Sequence, residues 1–215
     1  KKICANDRNM RGGKWLNPKE DAENIPDTIR HKTIGLLGFG NIGQNIASLL
    51  RSFDIKILVF DSKKDSYKSK QNISFESLEK VLKESDIIFN VLPLTKDTKD
   101  LIKMKEFLMM KKTSFLINIS RGMIINEKNL FDALENKIIA GAAIDVWYDD
   151  IYESNEGKFP SKKYDFHKLE NIVLSPYCAS ISKVNSTHII DVVSNLKKFA
   201  QGKNIINIVD LSEGY

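Results

Sequence analysis

Three glycines in a fixed pattern, Gly38, Gly40 and Gly43, separate an apolar run, Thr33 to Leu37, from a helix-compatible segment that reaches Phe53. A second apolar run, Ile55 to Phe60, then ends in Asp61. Few architectures accept the order strand, glycine turn, helix, second strand and acid, with the acid about 20 residues past the glycines. Gly38 permits the tight turn, Gly40 leaves bare backbone for a pyrophosphate, and Gly43 lets helix and strand pack closely. The helix start, with Asn41 and Ile42, offers unpaired N–H groups to phosphate. Asp61 can accept hydrogen bonds from an adenosine ribose, which favours NAD because a 2′-phosphate there would meet a carboxylate. Lys63 and Lys64 leave room for that phosphate if the carboxylate turns away.

The same rhythm continues along the chain. Residues 1–11 read as helical up to Gly12-Gly13, and a polar loop with Pro18 and Pro26 leads to the first strand. After Asp61 come a charged loop, a short apolar Ile73, a helix from Phe75 to Lys83 and a strand Asp86 to Leu92, which Pro93 ends. A short helix at Met104 to Met110, a strand Ser114 to Ile119, a helix Glu127 to Leu134 and a strand Ile139 to Asp145 follow. The stretch Trp147 to Leu169 is polar, aromatic and irregular, and its aromatic loop from Trp147 to Tyr164 is expected to be exposed. A last strand, Asn171 to Leu174, precedes a helix from Val184 to Ala200 with Gly202 as its stop. The tail Ile205 to Val209 reads as one more strand or a crossing segment. Alternating apolar strands and helices predict an α/β fold, a doubly wound parallel sheet covered on both faces.

Composition removes other classes. The 215 residues carry a formal net charge of +5, but the lysines are scattered pairs mixed with acids. Nucleic-acid binding would want clustered basic residues interleaved with exposed aromatics, so none is expected. Cys4 and Cys178 are too few for a disulfide framework, and no apolar run approaches membrane-spanning length. A cytoplasmic protein without membrane contact is the expectation, and no metal site is read. Cys178 reads as an oxidation-prone thiol if exposed or an inert one if buried.

In an open parallel sheet, ligands bind beyond the carboxyl ends of the strands. That rule collects the glycine loop, Asp61, Leu92-Pro93-Leu94, Ile119-Ser120-Arg121-Gly122, Asp145 and Pro176-Tyr177-Cys178 at one edge. Glycine N–H groups, an arginine, carboxylates and a tyrosine gathered there suit a charged small molecule beside a dinucleotide.

Taken together, Trp15, Lys32 to Gly43, Val91 to Thr95 with Thr98, Asn118 to Gly122, Ala140 to Val146 and Asn171 to Pro176 resemble the nucleotide-binding part of the D-isomer-specific 2-hydroxyacid dehydrogenases. That family includes the glyoxylate/hydroxypyruvate reductases and phosphoglycerate dehydrogenase relatives. The resemblance implies a Rossmann-type domain over residues 31–182, a connector over 1–30 from an N-terminal substrate domain, and a helix and tail over 183–215 returning toward it. It implies that the chain is a piece of a longer protein, because that substrate domain of roughly 100 residues is not in it. It further implies NAD as cofactor, a small 2-oxo or 2-hydroxy acid as substrate, and a homodimer.

By position, Arg121 matches the arginine that holds the substrate carboxylate and carbonyl, a task for a planar fork of donors. Its alternative is an ion pair with a loop carboxylate. Asp145 matches the acid that binds the nicotinamide carboxamide, or it caps a strand end. Pro93 and Thr98 match residues near the cofactor, or serve the turn. Leu92, Ile119 and Ser120 complete the expected cofactor contacts.

Two departures stand against the resemblance. The family's acid/base histidine follows the proline of Leu174-Ser-Pro176, where this chain has Tyr177. Its glutamate partner falls on Asp150, and Ile151 replaces the proline after it. His31, His167 and His188 lie elsewhere, and His188 shares a helical stripe with Val192 and Phe199, which points to packing. The expectation is that Tyr177 donates the proton with Asp150 orienting it, or that Tyr177 is a wall of the nicotinamide pocket. The second functional class left open is a non-catalytic NAD(H)-binding sensor or interaction module.

Overall fold

Parallel strands need a crossover between them, and in four of the six connections an α-helix among the described residues supplies it. The structure, a computed structural model, describes residues 3–15, 27–63, 72–148, 161–181 and 186–209. Its strands are β1 (Thr33–Leu37), β2 (Lys56–Phe60), β3 (Ile73–Phe75), β4 (Ile87–Asn90), β5 (Phe115–Asn118), β6 (Gly141–Ile144) and β7 (Ile172–Leu174). The helices are α1 (Ile3–Arg11), α2 (Asn41–Leu50), α3 (Leu78–Glu84), α4 (Met104–Met109), α5 (Glu127–Glu135) and α6 (Ser186–Ala200). The strands form one sheet in the order β3-β2-β1-β4-β5-β6-β7, every pair parallel. The chain therefore winds outward from β1 to β3, returns to β4 on the other side of β1, and winds out again to β7. The reversal leaves a crevice at the carboxyl ends of β1 and β4.

Successive strand side chains point to opposite faces, so each buried strand feeds two cores. Ile34, Leu36, Ile57 and Val59 meet Phe39 and Ala47 on the α2 side. Leu37, Leu58, Ile88 and Leu116 meet Val81 and Leu82 of α3, Phe107 of α4 and Leu130 of α5 on the other. The expected cover on both faces is complete at β1 and β2 and, among the described residues, thinner at β5 and β7. Phe115 and Val173, on the α2 side of the sheet, are each 49% exposed.

Three local expectations are corrected. The expected helix from Phe75 begins later, because Ile73–Phe75 pairs with β2 as an edge strand and Phe75 lies opposite Val59. Its ring meets Phe39 edge-on, with centroids 5.4 Å apart. Ser77 then caps α3 by accepting from the Lys80 N–H at 3.3 Å. The tail forms no strand; Asn195 of α6 clips it instead, donating to the Ile206 carbonyl (2.9 Å) and accepting from its N–H (3.1 Å). The aromatic loop from Trp147 to Tyr164 is not exposed at its ends: Trp147 is buried and Tyr164 half-buried, packed against the fully buried Phe166 just beyond it. Residues 149–160 within that stretch, and most of the loop with Pro18 and Pro26, lie outside the described residues. Gly202, at φ +65°, stops α6 as expected.

At the opposite edge of the sheet from the crevice, Asp86 ties three strands. Its carboxylate accepts from the Thr33 N–H (2.8 Å) and from Lys111 Nζ (2.8 Å). Burial pushes its pKa up, but Lys111, the Thr33 amide and Lys32 together outweigh that and leave the carboxyl below its ordinary value.

Candidate functional site

A cleft of about 460 Å³ opens where β1, β2, β4 and β5 end. Gly38, Gly40 and Ile42 line it after β1, Asp61 after β2, Leu92 and Pro93 after β4, and Ile119, Ser120 and Arg121 after β5. These nine were expected at one site, and the topology brings them together. Lys63, Val91 and Leu94, each named in the sequence beside the same strand ends, also line the cleft, and so does Ser62, whose only signal is adjacency to Asp61.

Each glycine has its own steric reason. Gly38 sits at φ +99°, and a Cβ there would lie 3.1 Å from backbone atoms of Val91 and Leu92. A Cβ on Gly43 would lie 2.5 Å from the Gly38 carbonyl oxygen, so α2 rests directly on the turn. A Cβ on Gly40 would meet nothing within 4 Å. Gly40 is also the N-cap of α2 and supplies no side-chain acceptor, which leaves the first N–H groups of the helix open to an anion. Asp61 braces this loop from the neighbouring strand: one carboxylate oxygen accepts from the Phe39 N–H at 2.6 Å, the other from the Lys63 N–H at 2.7 Å. An open N-terminus over bare glycine, beside a fixed carboxylate, fits a dinucleotide's pyrophosphate and ribose.

The arginine side of the cleft is built on two buried asparagines that stand within apolar strands. Asn90 donates to the Asn118 side chain at 3.0 Å, and Asn118 in turn donates to the Arg121 carbonyl at 3.1 Å. Ser120 reaches across to the Leu92 carbonyl, joining the β4 and β5 exits. Arg121 lines the cleft and donates from Nη1 to the Ser120 carbonyl at 2.8 Å. Asn90 and Asn118 were missed as site residues, although an asparagine inside a buried apolar strand is itself a signal.

Four expected contacts lie outside the cleft lining. Asn41 and Gly43 belong to the start of α2. Thr98 donates to the Pro93 carbonyl (2.6 Å) and accepts from the Thr95 N–H (2.7 Å), which is turn chemistry. Asp145 is buried at the exit of β6, where its carboxylate accepts from the Ser175 hydroxyl and from the N–H groups of Cys178 (3.0 Å) and Ala179 (3.1 Å). It winds the segment after β7 around itself. Cys178 is exposed.

Tyr177 also lies off the cleft. Its hydroxyl donates to the Trp147 carbonyl at 2.9 Å and accepts from the Trp147 N–H at 2.8 Å. A phenol so engaged aims its only proton at a backbone carbonyl; the proton-donor role would require it to leave Trp147. Asp150, its expected partner, is outside the described residues. Next in the chain after Trp147, burial, with Glu127 and Asp100 nearby, pushes the Tyr148 phenol well above its ordinary range, so it stays protonated. His31 pairs with Asp54 at 3.0 Å far from the cleft, and the side chain of His188 is outside the described residues. Among the described residues no group of three or more His, Cys, Asp or Glu could hold a metal ion, and no helix is long and apolar enough to cross a membrane.

Residues 1–179 match the family model of the D-isomer specific 2-hydroxyacid dehydrogenase, NAD binding domain. The chain belongs to this family. Among curated relatives, a glyoxylate reductase of Korarchaeum cryptofilum is 31% identical over 212 residues, covering 98% of this chain and 61% of the relative. A glyoxylate reductase of Pyrococcus horikoshii is 34% identical over 209 residues, 94% of this chain and 59% of the relative. The chain thus spans about three fifths of the length of these relatives. Among solved structures, D-lactate dehydrogenase with NAD+ from Lactobacillus jensenii superposes with a TM-score of 0.80 at 28% identity, covering 97% of this chain and 64% of that one. An acyclic imino acid reductase in complex with NADPH and D-Arg superposes at 0.82, also 28% identical, covering 97% and 62%. The 2-hydroxyacid dehydrogenase fold explains why the cleft forms at the reversal of strand order.

Proposed function

We propose that this chain is the dinucleotide-binding part of an NAD(H)-dependent oxidoreductase acting on a small 2-oxo or 2-hydroxy acid. The observation that carries the reading is a single cleft lined by the glycine turn, Asp61 and Arg121. Cofactor binding alone does not require an arginine at the β5 exit, whereas a carboxylate substrate does. The relatives named glyoxylate reductase support a short 2-oxo acid such as glyoxylate or hydroxypyruvate. When bound, the nicotinamide supplies the hydride; the rest is this chain's positioning and charge.

In this reading the open N-terminus of α2 and the bare Gly40 hold the pyrophosphate, and Asp61 holds the adenosine ribose and favours NAD over a 2′-phosphorylated form. Leu92, Pro93 and Ile119 form apolar walls beside the rings. Arg121 clamps the substrate carboxylate and polarises the neighbouring carbonyl. Residues 1–30 and 183–215 connect this domain, 31–182, to a substrate domain, and the protein works as a homodimer, as the family resemblance implies, in the cytoplasm, as its two scattered cysteines suggest.

The test is NADH oxidation by the intact protein against a panel of 2-oxo acids. Turnover is expected with glyoxylate or hydroxypyruvate, and Arg121→Lys is expected to lower kcat/KM by about 10- to 100-fold by removing the planar fork. A second reading, a non-catalytic NAD(H)-binding module, is favoured by one observation: the residue after Pro176 is a tyrosine whose hydroxyl is engaged by Trp147. Tight NADH binding with silence across the panel would select it.

A further inference from the structure

Tyr177 occupies a backbone conformation that side chains rarely adopt, with φ at +53°. Three hydrogen bonds hold it there: its N–H donates to the Asp145 carbonyl at 2.9 Å, and its hydroxyl makes the two bonds to Trp147. One phenolic oxygen thus serves both the N–H and the C=O of a single residue. A phenol can do this because it offers a donor and an acceptor at the same atom. A neutral imidazole, with its donor and acceptor on separate ring nitrogens, cannot.

The residue so gripped is itself fixed on other sides. Trp147 is buried, its indole N–H donates to the Ser175 carbonyl at 3.0 Å, and its ring packs edge-on to Phe166 with centroids 5.6 Å apart. Its carbonyl presses on Gly122: a Cβ there would lie 2.5 Å from the Trp147 oxygen and 2.7 Å from its carbonyl carbon. Gly122 directly follows Arg121, whose carbonyl is held by Asn118.

We propose that Tyr177 is a positioning residue for Arg121. Its hydroxyl holds the Trp147 peptide against Gly122, and that contact fixes the backbone from which Arg121 enters the cleft. Asn118 fixes the same backbone through the Arg121 carbonyl. The path runs from Tyr177 Oη through the Trp147 peptide and Gly122 to Arg121, every link a hydrogen bond, a van der Waals contact or a covalent neighbour. The inference rests on the reading of Arg121 as the carboxylate clamp; it gives the hydroxyl that stands after Pro176 a task other than proton transfer.

The experiment uses the intact protein with NADH and oxamate, a 2-oxo carboxylate that accepts no hydride. Tyr177→Phe removes only the hydroxyl. The expected result is an NADH Kd within twofold of the parent, an oxamate Kd raised at least tenfold, and a higher KM for glyoxylate with a smaller change in kcat. Amide resonances of Arg121 and Gly122 move in the ¹H–¹⁵N spectrum while those of Gly38 and Gly40 stay. Gly122→Ala, which attacks the far end of the path and leaves Tyr177 intact, is expected to give the same pattern and serves if Tyr177→Phe does not fold. Unmoved Arg121 and Gly122 resonances with unchanged oxamate affinity would overturn the proposal. If the parent binds NADH but not oxamate while the Tyr177→Phe resonances still move, positioning stands and the substrate reading of the cleft falls.

Discussion

Alanine placed at each of the three turn glycines in turn should give three different outcomes, because the space around their Cβ positions differs. At Gly40 the backbone is extended, with φ −66° and ψ −161°, and the new methyl meets nothing within 4 Å. Losing a glycine N-cap costs about 0.5 to 1 kcal/mol. A stiffer unfolded chain returns about 0.4 to 1 kcal/mol. Stability should therefore change by no more than about 0.5 kcal/mol, a Tm shift within about 2 °C. The methyl does stand on the lining of the cleft where pyrophosphate would approach, so NADH should bind at least about tenfold more weakly, or about 1.4 kcal/mol. At Gly43 alanine gains about 1 kcal/mol of helix propensity, but its methyl sits 2.5 Å from the Gly38 carbonyl oxygen. Moving the turn to relieve that contact costs about 1 to 3 kcal/mol, leaving a net loss of up to about 2. At Gly38 the φ of +99° and three backbone atoms 3.1 Å away outweigh the gain from a stiffer unfolded chain, and about 1 to 3 kcal/mol is lost. Thermal denaturation followed by circular dichroism, paired with NADH titration by fluorescence, separates the cases. Gly40→Ala binding NADH with parental affinity would refute the assignment of this turn to the pyrophosphate, and a Gly40→Ala melt as low as that of Gly38→Ala would refute the steric reasoning.

Lys111→Met should cost about 1 kcal/mol at pH 7, since Lys111 is the charged partner of a half-buried Asp86. The Asp86 pKa is lowered on folding, so its contribution is present above the ordinary carboxylate value and is lost as pH falls through the folded one. Urea denaturation should accordingly show parent and variant converging below about pH 3. Asp61→Ala should weaken NADH binding and narrow the preference over NADPH, as measured by both dissociation constants; an unchanged ratio would remove Asp61 from ribose recognition. Phe166→Ala should destabilise by about 3 to 5 kcal/mol, because Phe166 is fully buried against Phe131, Tyr164 and Trp147; a loss under 1 kcal/mol in denaturant would contradict that packing.

The parts of the fold readable in the sequence are those with a local period or a local steric rule. The buried strands announce themselves as apolar runs, and the glycine pattern places the cleft. β3 was illegible because Ile73-Ser-Phe75 is three residues long, its centre polar, and its strand character comes from pairing with β2. The bonds of Tyr177 join residues 30 positions apart and use a positive φ that no local signal for an aromatic residue indicates. Asp145 shows the same limit: a carboxylate after a strand reads equally as a ligand contact or a cap, and only the fold brings Ser175, Cys178 and Ala179 to it. Thr98 was open for the same reason and proves to bond within its own turn.

Helix α6 presents Ile189, Ile190, Leu196 and Phe199 at 64 to 75% exposure. A 15-residue helix in water is marginal when it relies on its own hydrogen bonds, because nucleation is costly and the apolar face returns nothing. β1 is the opposite case, central in the sheet and paired on both sides. Amide hydrogen exchange of this chain would therefore divide into two clocks, α6 emptying of protons on the time of a fraying peptide and β1 only on the time of global unfolding.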